Sequence, residues 1–167
     1  MSSAADRVPE CEDLKVLAAY MEGRFLLWQD KPEMALQRMK LCINRLPPEY
    51  GVDDIIIHAK MGAAFNAGDY DEFLACAKSF DKKYPKDRIS KATLASAYAC
   101  KYAETGDEKF RKQSEAFLDQ ARKMTADDPY FKEYENRIMH RLYSKEIISR
   151  QEFMKRYPDG WDRQLAQ

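Results

Sequence analysis

The sequence predicts an all-α fold, an α-solenoid of three helical hairpins followed by C-terminal capping helices. Three observations predict it. Apolar residues recur at steps of three and four along most of the chain, the period of one helix face. Gly-Asp and Pro breaks interrupt that pattern at short intervals. Pro47, Pro85 and Pro129 each close a helix pair, about 38 and 44 residues apart, a spacing at which helix-pair repeats stack. Strand signals are nearly absent; Ile55-Ile56-Ile57 is the only β-rich run, and its neighbours keep the helical period.

Each element follows from local chemistry. Residues 1–12 read as a tail. The first hairpin spans 13–48: Leu14, Leu17, Ala18, Met21, Phe25 and Trp28 mark one helix, and Asp30-Lys31-Pro32 breaks it. Pro32 suits the first turn of the next helix, where a missing N–H costs nothing. That helix is expected to run through Met34, Ala35, Met39 and Cys42 to Leu46-Pro47-Pro48. The second hairpin spans 53–86, with Gly68 as helix terminator, Asp69 or Asp71 as cap, and Pro85 as stop. The third spans 89–127, with Gly106 and Asp107 at its turn and Phe110, Ala116, Phe117, Leu118 and Ala121 on its second helix. Residues 128–167 hold a capping helix, with Asp128 before Pro129 and Tyr130, Tyr134, Ile138 and Leu142 at steps of four. A short helix follows, in which Ser149 and Glu152 have capping-box spacing and Ile148 and Phe153 staple spacing.

The stretch GDYDEFLACAKSFDKKYP, residues 68–85, shows the repeat most clearly. Ala75, Cys76 and Ala77 are expected to keep its helix thin, while Phe73, Phe80 and Tyr84 fill wider gaps. With Gly23, Ala35, Cys42 and Pro47 in the first unit, and Tyr98-Ala99, Tyr102 and Gly106-Asp107 in the third, the chain from about 14 to 129 resembles the tetratricopeptide repeat (TPR) family. Met61-Gly62 stands one residue nearer the turn than in that family, Phe73 replaces its first small residue, and Glu108 to Gln113 read as an insertion. Residues 146–161, EIISRQEFMKRYPDGW, resemble the short helical SHOCT motif, which is linked to oligomerisation.

Composition argues against several function classes. Lys plus Arg equals Asp plus Glu at 28 each, so no net field recruits nucleic acid or an acidic membrane. Lys82, Lys83, Lys86 and Arg88 cluster, but Asp81 and Asp87 interrupt them and a helix C-terminus accounts for cations there. No apolar run approaches a membrane span, and MSSAADRVPECED lacks the apolar core of a secretory signal. Its Ser/Ala-rich start fits a tail or the edge of a longer protein equally. Cys11, Cys42, Cys76 and Cys100 are dispersed, which reads as buried reduced thiols in a cytoplasmic setting rather than a zinc site or disulfide framework. His58 and His140 lack catalytic partners in sequence, and the acidic pairs Asp53-Asp54 and Asp127-Asp128 sit at expected helix starts. No phosphate-binding glycine loop or nucleophile elbow occurs. No catalytic residue, metal or cofactor is therefore expected.

The TPR resemblance implies a concave groove that holds a protein or peptide partner. Carried over by alignment, its lining is Leu17, Tyr20, Arg24, Leu27 and Trp28 from the first repeat and Thr93, Ser96, Cys100, Ala103 and Glu104 from the third. The second repeat offers His58 and Phe65, or Ala59 and Asn66. Tyr20 and Arg24 stand where the family's clamp for C-terminal carboxylates carries Lys and Asn, so that clamp is not reproduced. The expectation is a non-catalytic interaction module. The alternatives are a homo-oligomerisation module using residues 144–161, or an accessory domain of a larger enzyme or membrane-associated complex.

Overall fold

A computed structural model describes residues 9–124 and 129–161, with side chains from Glu12 onward. The described chain is all-helical: α1 (Pro9–Trp28), α2 (Pro32–Lys40), a 3-10 turn (Pro48–Tyr50), α3 (Val52–Ala67), α4 (Tyr70–Lys83), α5 (Arg88–Thr105), α6 (Glu108–Lys123), α7 (Pro129–Ser144) and α8 (Arg150–Arg156). It divides into two compact units, residues 1–68 and 69–167. The expected second hairpin is thereby shared between them, with α3 in the first and α4 in the second.

The caps explain where helices start and stop. Gly68 and Gly106 terminate α3 and α5 at φ +72° and +73°, a region that side chains beyond glycine rarely enter. Asp69, rather than Asp71, caps α4, accepting from the Glu72 amide at 3.0 Å. Asp107 accepts from the Lys109 amide at 2.9 Å to start α6, and the supposed insertion from Glu108 supplies that helix's first turns. Pro32 opens α2, which ends at Lys40 rather than continuing through Cys42. There the bonds tighten to i→i−3, and Asn44 at φ +58° turns the chain. The Asp128 cap expected for α7 lies outside the described residues.

In the first unit α1, α2 and α3 pack on one another. Val16, Ala19, Tyr20, Met39, Cys42 and Val52 form one cluster, and Leu26, Ala35 and Ala59 another. Small residues set the spacing. A Cβ on Gly62 would stand 2.8 Å from the Pro32 ring, and one on Gly23 would stand 2.6 Å from Met39 Cε. Cys42 is buried, and burial pushes its thiol pKa up.

In the second unit α5 is the hub, with α4, α6 and α7 packed against it. Every residue from Ser90 to Tyr102 is buried, so the helix is enclosed on all sides. Ala95, Ala99, Tyr102, Leu118, Ile138 and Leu142 form the core there. Polar atoms inside it are partnered: the Ser114 hydroxyl donates to the Ala95 carbonyl at 2.7 Å, and Lys91 pairs with Asp81 at 2.7 Å. Asp87, which interrupts the basic cluster in sequence, caps α5 through the Ser90 amide at 2.9 Å. Of the three small residues expected to thin α4, only Ala77 is fully buried; Cys76 is half-buried and Ala75 exposed.

The C-terminal segment folds back on α7. Ser149 caps α8, accepting from the Glu152 amide at 3.1 Å, while the Glu152 carboxylate takes Arg156 instead of closing a capping box. His140 of α7 is buried against Phe153, Tyr157 and Trp161, with ring centroids 5.5, 5.2 and 5.8 Å away. Burial holds its pKa below the ordinary histidine value; Glu146, 3.8 Å off, opposes this, and Arg141 and Arg156 reinforce it.

Two predictions follow from this packing. Ala35→Phe and Ala77→Phe should each cost about 3 kcal/mol by overfilling a closed contact, lowering Tm by about 2–4 °C per kcal/mol. Ala75→Phe, at an exposed site on the same helix as Ala77, should leave Tm nearly unchanged. For His140, the unfolded chain takes up the proton first as pH falls below about 6.5. Its stabilisation is therefore present above that pH and lost as pH falls through the depressed folded value. Tm measured from pH 7.5 to 5.5 should decline less steeply in His140→Gln than in the unaltered protein.

Candidate functional site

The expected groove residues fall in both units, and each unit's share has its own character. In the first, α1 carries two apolar faces. Val16, Ala19, Tyr20 and Leu26 turn inward. Leu14, Leu17, Met21, Phe25 and Trp28 stand on roughly the opposite side, since each residue advances the helix by about 100°. All five are exposed, Trp28 at 81%, and the Phe25 and Trp28 rings lie 5.9 Å apart. The row covers about 21 Å of helix at about 1.5 Å per residue.

Tyr20, expected in the groove, is instead a structural ring. Its hydroxyl donates to the Tyr50 carbonyl at 2.9 Å, and its ring meets Tyr50 edge-on at 5.1 Å. Arg24 is exposed above it, 5.7 Å from the ring centre. Leu27 is half-buried beside the cluster of Leu26, Ala35 and Ala59. Leu17, Arg24 and Trp28 are thus the groove residues of α1 that stay exposed, and the groove assignment omitted their neighbours Met21 and Phe25.

In the second unit Thr93, Ser96 and Cys100 are buried. Arg141, reaching across from α7, donates to the Ser96 hydroxyl at 2.6 Å. Burial pushes the Cys100 thiol up, opposed by the same guanidinium. Ala103 is half-buried, and Glu104 is exposed but takes the Lys101 ammonium at 2.5 Å. Packing of α7 on α5 encloses surface that the repeat alignment counted as lining. His58, Phe65, Ala59 and Asn66 lie on α3; Ala59 is buried in the core, and Asn66 is exposed, donating to Glu33 at 3.2 Å.

A cavity of about 320 Å³ opens beside α7. Ile89 and Ala92 of α5, Tyr130, Phe131 and Tyr134 of α7, and the arginines 88, 137 and 150 line it together with Glu133. Arg150 grips both Glu133 oxygens at 2.8 Å and holds that carboxylate's pKa below its usual range. Arg137 stacks 4.8 Å from the Tyr134 ring centre. Its Nε lies 3.3 Å from Glu133 but out of hydrogen-bond alignment, so this buried donor has no hydrogen-bond partner among the described residues. Burial lowers the Arg137 pKa from the ordinary arginine value. Sequence reading missed this site because its cations come from three separate segments.

Among the described residues no three His, Cys, Asp or Glu side chains converge to hold a metal ion, and no helix is long and apolar enough to cross a membrane. No family model matches the chain, nor does any curated protein or solved structure.

Proposed function

We propose that this chain is a non-catalytic, TPR-like interaction module that holds an amphipathic helix or extended peptide of a partner protein along the outer face of α1. The observation that carries this reading is the row Leu14, Leu17, Met21, Phe25 and Trp28, exposed on a helix whose other face already fills the core. A single exposed apolar residue needs no explanation, but a continuous row at helical spacing is what helix-in-groove recognition uses. Aromatic residues and arginine dominate binding energy at such surfaces, and Phe25, Trp28 and Arg24 supply both.

Self-association is the second reading, and the same row favours it. Its spacing of three and four residues is the one by which two helices pair through a shared seam. Mass in solution across concentration separates the two, since only self-association makes it rise.

Capture of partners from lysate should fall about tenfold or more in Leu17→Asp with Phe25→Asp, and in Arg24→Glu with Trp28→Ala, because each pair removes anchors worth about 1–2 kcal/mol apiece. Helical content by circular dichroism should be unchanged. Undiminished capture by both variants, with mass constant on dilution, would remove α1 from the binding surface.

A further inference from the structure

The exposed row on α1 has a symmetry that a surface shaped for an unlike partner does not need. Leu14, Leu17, Met21, Phe25 and Trp28 are spaced by three, four, four and three residues, so the row reads the same from either end about Met21. Laid antiparallel on its own copy, it sets every apolar position level with another. Leu14 meets Trp28, Leu17 meets Phe25, and Met21 meets Met21. Each pair away from the centre joins an aromatic ring to a leucine, which keeps the seam even in thickness along its length.

Parallel pairing in register lacks this property. It sets Trp28 on Trp28 and, along one edge, Asp13 on Asp13 and Arg24 on Arg24. Like charges directly opposed cost affinity. In the antiparallel register Asp13 stands level with Gln29 and Arg24 with Ala18. The area is also sufficient. With roughly 150–250 Å² for each whole side chain, exposed fractions from 37% at Leu17 to 81% at Trp28 leave about 600 Å² on the row. Two copies would together bury about 1,200 Å², which reaches the range of specific interfaces.

We propose that the amphipathic helix held by this row is α1 of a second copy, packed antiparallel about a two-fold axis at Met21. This rests on the reading of the row as a docking surface and commits its occupant. An interface that uses the same surface on both copies closes at two, so it makes a dimer and not a filament. The inward face of α1 and its contacts with α2 and α3 stay as they are.

Sedimentation velocity from about 1 to about 200 μM should show the mass rising from one chain to two. Met21→Glu and Met21→Lys each set like charges on the axis. Each should raise the dissociation constant about a hundredfold or more, with helical content by circular dichroism unchanged. Mixed together, the two variants should dimerise again because opposite charges then meet, a rescue that a folding defect would not show. Orientation is read by oxidative crosslinking in a Cys11→Ser, Cys76→Ser background. Leu14→Cys should crosslink to Trp28→Cys in a mixture but not to itself, since antiparallel pairing holds the two copies of position 14 about 21 Å apart. A dimer undisturbed by Met21→Glu, no rescue on mixing, or crosslinking of Leu14→Cys to itself would each overturn the proposal. Mass constant at one chain would overturn it too. Loss of lysate capture in Leu17→Asp with Phe25→Asp would then leave the row to another protein, whereas undiminished capture would end the docking reading as well.

Discussion

Close approach between helices is the constraint on which the rest of this structure depends. Apolar contact in a helical protein is limited by what stands at each crossing, and interiors pack too densely to leave slack there. In the first unit Ala35 and Ala59 are fully buried, and Gly62 lies against the Pro32 ring. In the second, Ala92, Ala95, Ala97 and Ala99 give α5 a thin profile on which three helices rest. The larger side chains, Met39, Phe73, Phe80, Leu118 and Ile138, then fill the space between crossings. What stays exposed follows from that division: α1 has only one face consumed by packing, while α5 has none left over between Ser90 and Tyr102.

Much of this was legible in the sequence, and the legible parts share a cause. Gly-Asp at 68–69 and 106–107 ends one helix and caps the next through chemistry confined to a few residues, so both turns are where they were expected. What depended on distant partners was harder to read. Asp81 looked like an interruption among lysines because its partners, the Ser90 hydroxyl at 2.7 Å and the Lys91 ammonium at 2.7 Å, stand on the next helix. The row Tyr130, Tyr134, Ile138 and Leu142 marked the capping helix by its steps of four. A strict step of four turns about 40° too far each time, so the row winds around α7. Ile138 and Leu142 reach the core, while Tyr130 emerges at the cavity.

The α7 helix illustrates why candidate sites resist sequence reading more than folds do. As a cap it was expected, yet its consequences for α5 were not. Arg141 engages Ser96 from the capping side, so residues that a repeat alignment counts as groove lining become interior. The same helix then builds a new surface from Phe131, Tyr134 and Arg137, with Arg88 and Arg150 supplied by other elements. No spacing rule links positions so far apart; only packing brings them together. The α1 row, by contrast, lay entirely within one helix: the period marked its five apolar positions, and the repeat alignment picked Leu17 and Trp28 from among them as groove residues.

The central claim is that α5 is enclosed by close-packed neighbours and opens only when its whole unit does. Native-state hydrogen exchange tests this most directly, since amides in an enclosed helix exchange through global opening while exposed ones exchange through local fraying. The amides from Leu94 to Tyr102 should be among the slowest in the second unit and share one opening free energy, with those of the short helix α8 exchanging far sooner. Exchange from the middle of α5 as fast as from α8 would contradict the account.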